Sequence, residues 1–416
     1  MNILQWGVLI WVVPVCLFWF AMCVLVLRTM KGLPKLSSLP LDEPEHWPLL
    51  SVVIPACDEE DTIEDALCSI LEQDYPNLEI LLIDDRSHDN TGEVIEKMAK
   101  QDPRIKPIHI THLPGGWLGK VHALEKGSQL AKGEWMLFTD ADIHFHPGAL
   151  RKAIAVSLAQ NLDFLSLVPR FRALSFRMAV LMQSMGLGFF LSLRTWKVDR
   201  PNSSAYAGIG AFNMVRTEAF RKTLGFPWLK MEITDDVALS MMMHHSGAHV
   251  AIFAAFEELE LLWYPTTHAM AKGLEKNLFG ALGFYNYGTF VGRLLLFGLF
   301  FLGPFVAMLP HGIPNLWILG VSALLGLSLI SGRFSVWRTN SFISGFLGPI
   351  GTFFIGYPAI RSAFLAWRQG GIVWRDTLYS IEQLKKGMRL RFLGHDPDSS
   401  ELGHPLAEPE TCSVQE

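Results

Sequence analysis

From Ile3 to Leu27 the chain runs for 25 residues without a charge, and Gln5 is almost the only polar side chain among them. Wound as a helix, such a run is roughly 37 Å long, enough to cross a ~30 Å hydrocarbon layer with some tilt. It restricts the fold more than any other feature, because a chain that begins this way must organise the rest of itself around a bilayer. A cleaved signal peptide needs a basic start and a small-residue cleavage site; "MNILQW" supplies no basic start, so we expect a retained anchor over residues 1–30. Arg28, Lys31 and Lys35 come after the run and no basic residue precedes it. The positive-inside rule therefore places the chain beyond the anchor in the cytoplasm, with the anchor itself in the cell membrane. A proline-rich stretch, residues 31–47, reads as a stiff linker.

Three more uncharged runs come late: Leu294–Leu309, Ile313–Gly332 and Ser341–Ile360. The first two are joined by the short "PHGIPN" and read as a helical hairpin. Gly345, Gly348, Pro349, Gly351, Gly356 and Pro358 interrupt the third, and Arg361 lies just after it. A full crossing there would put the basic stretch from Arg368 to Arg391 outside, against the charge rule, so a re-entrant or in-plane segment is expected. This makes two to three membrane helices over 286–367, then a basic membrane-proximal segment at 368–393. The acidic tail, 394–416, has the composition of a disordered segment. Net charge is −5 and no basic patch stands out, which argues against nucleic acid as a partner. Five cysteines without a CxxC pair give neither a disulfide framework nor a zinc site.

Between the apolar ends, residues 48–285 have the mixed composition of a soluble domain. "LLSVVIPA" (49–56) is a continuous apolar run, the mark of a strand buried on both faces. "LEILLIDD" (78–85), "IKPIHI", "WMLFTDAD" and "LDFLSLV" come next, separated by helical stretches near 61–72, 89–100, 121–131 and 148–160. Strand–helix alternation predicts an α/β fold with a mostly parallel sheet, whose ligands bind beyond the carboxyl ends of its strands. Asp58, Glu59 and Glu60 lie after the first strand, Asp84 and Asp85 end the second, and Asp140 and Asp142 lie after the strand at 135–139. Carboxylates gathered on one rim repel unless a cation joins them. Hard oxygen donors suit Mg²⁺ or Mn²⁺, and Mg²⁺ typically binds through one or two carboxylates plus substrate phosphates. Asp235 and Asp236 open a further helix, "DDVALSMMMHH", where negative charge gains from the helix dipole. His144, His146 and His268 are additional candidates for the metal.

Taken together, "SVVIPACDEEDTIEDALCSILEQDYPNLEILLIDDRSHDNT", "GEWMLFTDAD" and "EITDDVAL" resemble the membrane-bound family 2 glycosyltransferases, which have the GT-A fold. "PGGWLGKVHAL" (114–124) and "GGIVWRDTLYSIEQLKKG" are similar to the bacterial subgroup that glycosylates polyprenoid lipids such as hopanoids and carotenoids. The resemblance implies inverting transfer from a nucleotide-diphospho-sugar. It gives Asp84 or Asp85 the nucleobase, with Pro55 and the Asp58–Glu59 turn lining its pocket. Asp140, the first acid of a DXD motif, faces the ribose or the metal, and Asp142 ligates the metal. Within "TDD", Asp236 stands where the family has its catalytic base and Asp235 beside it. Lys120 is placed to touch the diphosphate, and "GIGAFNMVR" (208–216) matches a small-residue strand beside the acceptor site.

The expected partners are thus a nucleotide-diphospho-sugar, a membrane lipid acceptor and the bilayer itself. Two alternatives stand beside lipid glycosylation: a processive polysaccharide synthase and a non-catalytic nucleotide-sugar-binding membrane protein. The Gln-x-x-Arg-Trp motif of the processive synthases is missing between Trp263 and Tyr287, where "GLEKNLFGALGF" stands. The apolar, basic-flanked stretch 174–196 reads either as a helix in the headgroup layer or as a buried core helix.

Overall fold

The apolar stretches become long helices and the alternating middle becomes a sheet. A computed structural model describes residues 1–30, 33–40, 43–200, 203–339 and 341–390, so the predicted tail at 394–416 lies outside the described residues. The elements run α1 (Ile3–Thr29), β1 (Leu50–Ala56), α2 (Ile63–Leu71), β2 (Leu78–Asp85), α3 (Thr91–Gln101), β3 (Ile105–Ile110) and α4 (Gly119–Leu130). Next come β4 (Trp135–Phe138), β5 (Ile143–Phe145), α5 (Ala149–Ala159), β6 (Phe164–Phe171), α6 (Phe176–Leu193), β7 (Asn213–Arg216), α7 (Thr217–Arg221) and α8 (Gly225–Leu229). After these stand α9 (Asp235–His245), β8 (Val250–Leu261), α10 (Thr267–Gly283), α11 (Tyr287–Ala307), α12 (Leu316–Thr339), α13 (Phe342–Phe346) and α14 (Gly348–Gln369). The strands β9 (Gly371–Trp374) and β10 (Thr377–Ser380) and the helix α15 (Ile381–Gly387) close the described chain.

Two compact units result. One holds Met1–Pro34, Arg170–Trp196 and Leu261–Lys385; the other holds Lys35–Pro169, Lys197–Glu260 and Lys386–Glu416. The second unit carries an eight-stranded sheet of order β3-β2-β1-β4-β7-β6-β8-β5. β3, β2, β1 and β4 run parallel, and β7 lies antiparallel to both β4 and β6. The fold is thus a mixed, mostly parallel α/β sheet, as the resemblance to the GT-A fold implies. β1 is buried almost throughout, as its unbroken apolar run requires, and α4 packs on it. α4 approaches β1 closely enough that a methyl on Gly127 would lie 2.3 Å from Val53 Cγ1, so glycine is needed there.

The order places a topological switch at β1. The chain leaves β1 toward β2 and β3 on one side, then returns through α4 to β4 on the other. In open α/β sheets the crevice at such a point, beyond the carboxyl ends of the two strands, is where ligands sit. The loops after β1 and β4 flank it, and they carry Asp58–Glu59 and Asp140–Asp142.

The first unit is helical. Among the described residues, four helices are long and apolar enough to cross a membrane: Ile3–Thr29, Phe176–Lys197, Tyr287–Ala307 and Leu316–Val336. α1 packs on α11 and α12 around Val12, Cys16, Ala307, Leu316 and Ala323. Trp19 donates its indole N–H to the Phe300 carbonyl at 2.8 Å. Small residues allow close backbone approach here, Gly303 against Val15 and Gly320 against the Pro304 carbonyl. The Ser341–Ile360 run is broken at Leu347 into α13 and α14, and α14 continues past Arg361 to Gln369. A methionine-rich cluster, Met178, Met182, Met185 and Met270 with Tyr264 and Leu274, joins α6 to α10.

Candidate active site

The loops after β1 and β2 are laced together by their own side chains. Asp58 donates its backbone N–H to Ser87 Oγ and accepts the His88 N–H at 2.8 Å. The Glu59 N–H reaches Thr91 Oγ1 at 2.8 Å, and Glu60 accepts both the backbone and the amide N–H of Asn90. Asp58 and Arg86 adopt left-handed backbone, with φ of 54° and 60°, as tight turns require. Each carboxylate that the sequence assigned to a nucleobase pocket is tethered. Asp84 accepts the Ser87 N–H and contacts His109 Nδ1 at 3.1 Å, while Asp85 takes a bidentate grip from Arg86 at 2.8 and 3.0 Å. His109 also meets Glu96 at 2.9 Å; the bonds to Glu96 and then Asp84 raise its pKa above the ordinary histidine value. Gly119 leaves room for the Asp85–Arg86 pair, since a methyl there would lie 2.3 Å from Asp85 Oδ2. Pro55, half-buried, stands near the end of β1.

A second constellation gathers Asp140, Asp235, Asp236, Lys120 and Gly210 around one small cleft. Lys120 Nζ lies 2.7 Å from Asp140 and 3.7 Å from Asp235. Burial works against its charge, yet Asp140, Asp235 and Asp236 hold the ammonium well above the usual lysine range. Gly210 ties the two acidic motifs by its backbone: it donates its N–H to Asp236 Oδ2 at 2.9 Å and accepts the Asp140 N–H at 3.1 Å. Asp236 Oδ1 accepts the Val237 N–H at 2.8 Å, so both carboxylate oxygens are fixed where α9 begins. Burial pushes Asp236 above the ordinary carboxylate range, with Lys120 opposing. Close by, burial, Asp140 and Glu59 together push Asp142 up to about 7. Asp140 works against ionisation of Asp142, and both are hard oxygen donors, so the pair suits a divalent cation that would relieve the repulsion.

Of "GIGAFNMVR", only Asn213–Arg216 is a strand; residues 208–212 are irregular. A methyl on Gly208 would sit 1.9 Å from the Asp236 carbonyl oxygen, so glycine is needed where this segment lies against the start of α9. Among the described residues, no three His, Cys, Asp or Glu side chains enclose a metal site by themselves. His144 lies in β5, His146 donates its N–H to the Glu258 carbonyl, and His268 belongs to the helical unit.

Glu232 escaped the sequence reading. It is 3% exposed. One oxygen accepts from Thr234 N and Oγ1 and the other from the backbone of Arg389 and Leu390 at 2.6 and 3.0 Å. It therefore fastens the basic segment after α15 to the "EITDD" turn, and Arg389 adds a bond to the Trp228 carbonyl and a cation–π contact at 5.2 Å. The available signal was an acid three residues before "DD", too ordinary to single out.

Residues 51–224, which contain the laced loops, Lys120 and the Asp140–Asp142 pair, match the model of the family described as Glycosyl transferase family 2. This stretch is similar to family 2 glycosyltransferase domains. The domain is 30% identical over 120 residues to a putative teichuronic acid biosynthesis glycosyltransferase of Bacillus subtilis, covering 29% of this chain and 46% of that protein. It is 36% identical over 103 residues to a GalNAc(5)-diNAcBac-PP-undecaprenol beta-1,3-glucosyltransferase of Campylobacter jejuni, covering 25% and 32%. The chain thus spans less than half the length of these curated relatives. Among solved structures, a mannosyltransferase from Pyrobaculum calidifontis, in complex with GDP-Man and Mn²⁺, is similar with a TM-score of 0.55 and 18% identity. That similarity covers 84% of this chain and 99% of the other, and it shows the GT-A fold.

Proposed function

We propose that this chain transfers a single sugar, with inversion, from a nucleotide-diphospho-sugar to a hydroxyl of a membrane lipid, polyprenoid in class. The transfer would take place at the cytoplasmic face of the inner membrane. The observation that carries this reading is the convergence of Lys120 and Asp140, from the stretch that matches family 2, with Asp235 and Asp236 beyond it on one cleft, in a chain with four apolar helices among its described residues. The Campylobacter jejuni relative, named for an undecaprenol-linked substrate, supports the lipid acceptor.

In this reading the Asp58–Glu59 turn, Pro55 and the tethered Asp84 and Asp85 receive the nucleoside. Asp142, with Asp140, would hold Mg²⁺ or Mn²⁺, which when bound supplies Lewis-acid stabilisation of the diphosphate. Lys120, now paired with Asp140 and Asp235, is a mobile-headed cation that swings from its carboxylates to a phosphate oxygen. Asp236 acts as general base. As the acceptor oxygen bonds to the anomeric carbon from the face opposite the diphosphate, its proton passes to the Asp236 carboxylate. The bond from the anomeric carbon to the diphosphate oxygen breaks, and that oxygen leaves with the electron pair. A raised pKa improves Asp236 as a proton acceptor, and its two backbone N–H bonds fix its aim before substrate arrives.

Mass spectrometry of membrane lipids with and without the gene tests the proposal. A lipid series heavier by one hexose or hexosamine, lost in Asp236→Asn, is expected; a ladder of longer sugar chains would point to a polymerase instead.

A further inference from the structure

Beyond the transfer site, the helical unit contains a cavity of about 680 Å³ between α6, α10 and α14. That volume falls in the ~300–1,000 Å³ range that encloses one small organic body. Its lining is graded. From Leu347, which caps α14, through Ile350, Phe354, Tyr357 and Arg361 along it, the lining residues recur at spacings of three and four, so they form one stripe that begins apolar and ends basic. The stripe is about 21 Å long at the helical rise. Ile350, Phe354 and Tyr357 are 53%, 60% and 63% exposed, so no protein side chain satisfies their apolar surface.

The polar residues of this cavity are mainly cationic. Arg361 is hydrogen-bonded to Glu275, which cancels that pair. Arg177, in the first turn of α6, and Lys272, one turn after His268 on α10, have no ion-pair partner among the described residues. Two uncompensated cations beside an apolar trough are complementary to an amphiphile with an anionic head.

We propose that this cavity binds one anionic phospholipid of the bilayer, a single acyl chain lying along the Leu347–Ile350–Phe354 stripe and the phosphate meeting Arg177 and Lys272. The second chain stays in the surrounding lipid. The occupant is separate from the sugar acceptor, and the inference does not depend on the transferase reading. Simple snorkelling of Arg177 and Lys272 toward headgroups would attract anionic lipid in general but would not produce a saturable site.

The full chain in detergent, titrated with phosphatidylglycerol and separately with phosphatidylcholine of the same chains, distinguishes the two by native mass spectrometry. One saturable phosphatidylglycerol adduct is expected, retained at least tenfold better than phosphatidylcholine. The double variant Arg177→Glu, Lys272→Glu should lose that preference, and Arg177→Lys should keep it. Ala271→Trp, which fills the apolar wall, should expel both lipids. Equal retention of the two lipids, an unsaturable series of adducts, or unchanged preference in the charge-reversed variant would overturn the proposal. So would tighter binding of a farnesyl phosphate, which would reassign the cavity to a phosphorylated single-chain lipid. Asp236→Asn and Asp142→Ala should bind phosphatidylglycerol as the unsubstituted chain does, so loss of transfer and loss of lipid binding are separately readable.

Discussion

Gly210→Ala tests the active-site geometry more sharply than removal of any carboxylate. The added methyl would stand 2.5 Å from Asp140 Oδ2 and 3.3 Å from both Asp140 Cγ and Lys120 Nζ. Carbon–heavy-atom contact is comfortable only near ~3.5 Å, so the Asp140 carboxylate must retreat by about 1 Å or the 208–212 segment must move outward. The second option pulls the Gly210 N–H from Asp236 Oδ2 and the Gly210 carbonyl from the Asp140 N–H. Either way one of the two acidic motifs shifts relative to the other. A misplacement of ~1 Å in a catalytic constellation costs on the order of 100-fold, about 2.7 kcal/mol of barrier.

The assay is release of nucleoside diphosphate from UDP- and GDP-linked sugars by membranes carrying the full chain, with Mn²⁺ and lipid extract present. We expect kcat/KM to fall ~100-fold for Gly210→Ala at equal folded protein. Two comparison variants keep the result interpretable. Gly133→Ala places a methyl 2.6 Å from the Leu49 carbonyl, away from the acids, and should lower stability by ~1–3 kcal/mol while leaving kcat/KM near normal. Gly188→Ala meets nothing within 4 Å and should be silent in activity. If Gly210→Ala keeps its kcat/KM within about threefold, the bridge between Asp140 and Asp236 is not part of the reacting geometry and the assignment fails.

Other substitutions probe neighbouring groups. Asp236→Asn should abolish transfer while calorimetry still detects the nucleotide-sugar, whereas Asp142→Ala should weaken donor binding only when the divalent ion is present; retained transfer in Asp236→Asn would remove its role as base. Glu232→Ala strands four donors at a buried position and should cost on the order of 3 kcal/mol, seen as easier proteolysis after residue 387. His109 gives a pH effect. Its folded pKa is raised, so its stabilising contacts to Glu96 and Asp84 are complete below the ordinary histidine value near ~6.5 and fade as pH rises through the raised one. Thermal melts of the unsubstituted chain should therefore drop more between about pH 6 and pH 9 than those of His109→Gln; parallel curves would discount this contact.

How far the sequence disclosed this arrangement depended on how local each determinant was. "LEILLIDD" coincides with β2 because a strand buried on both faces has to be apolar over most of its length, and "IKPIHI" coincides with β3, an edge strand that is buried only at its two ends. "DDVALSMMMHH" coincides with α9 for an equally local reason, a pair of acids at the end where the dipole favours them. The assignment of helices to units was not local. α6 and α10 belong to the helical unit although one interrupts the sheet strands and the other comes after them. Packing between Met182 and Met270, side chains distant in sequence, places them there. Within the site the same division holds. The acids were visible as motifs at strand ends, but the partner of each was invisible: Arg86 on Asp85, His109 on Asp84, Lys120 between Asp140 and Asp235. Those pairings are properties of the crevice, where β1 and β4 bring loops more than 80 residues apart to one edge. Lys120 shows the consequence. Read alone, it was a phosphate ligand; in the fold it is first the counter-charge to three carboxylates, Asp140, Asp235 and Asp236, gathered at one cleft. Under the proposed function, a donor diphosphate and its cation would compete with that lysine for Asp140, so binding of the donor and release of Lys120 would be one exchange of charges rather than two separate events.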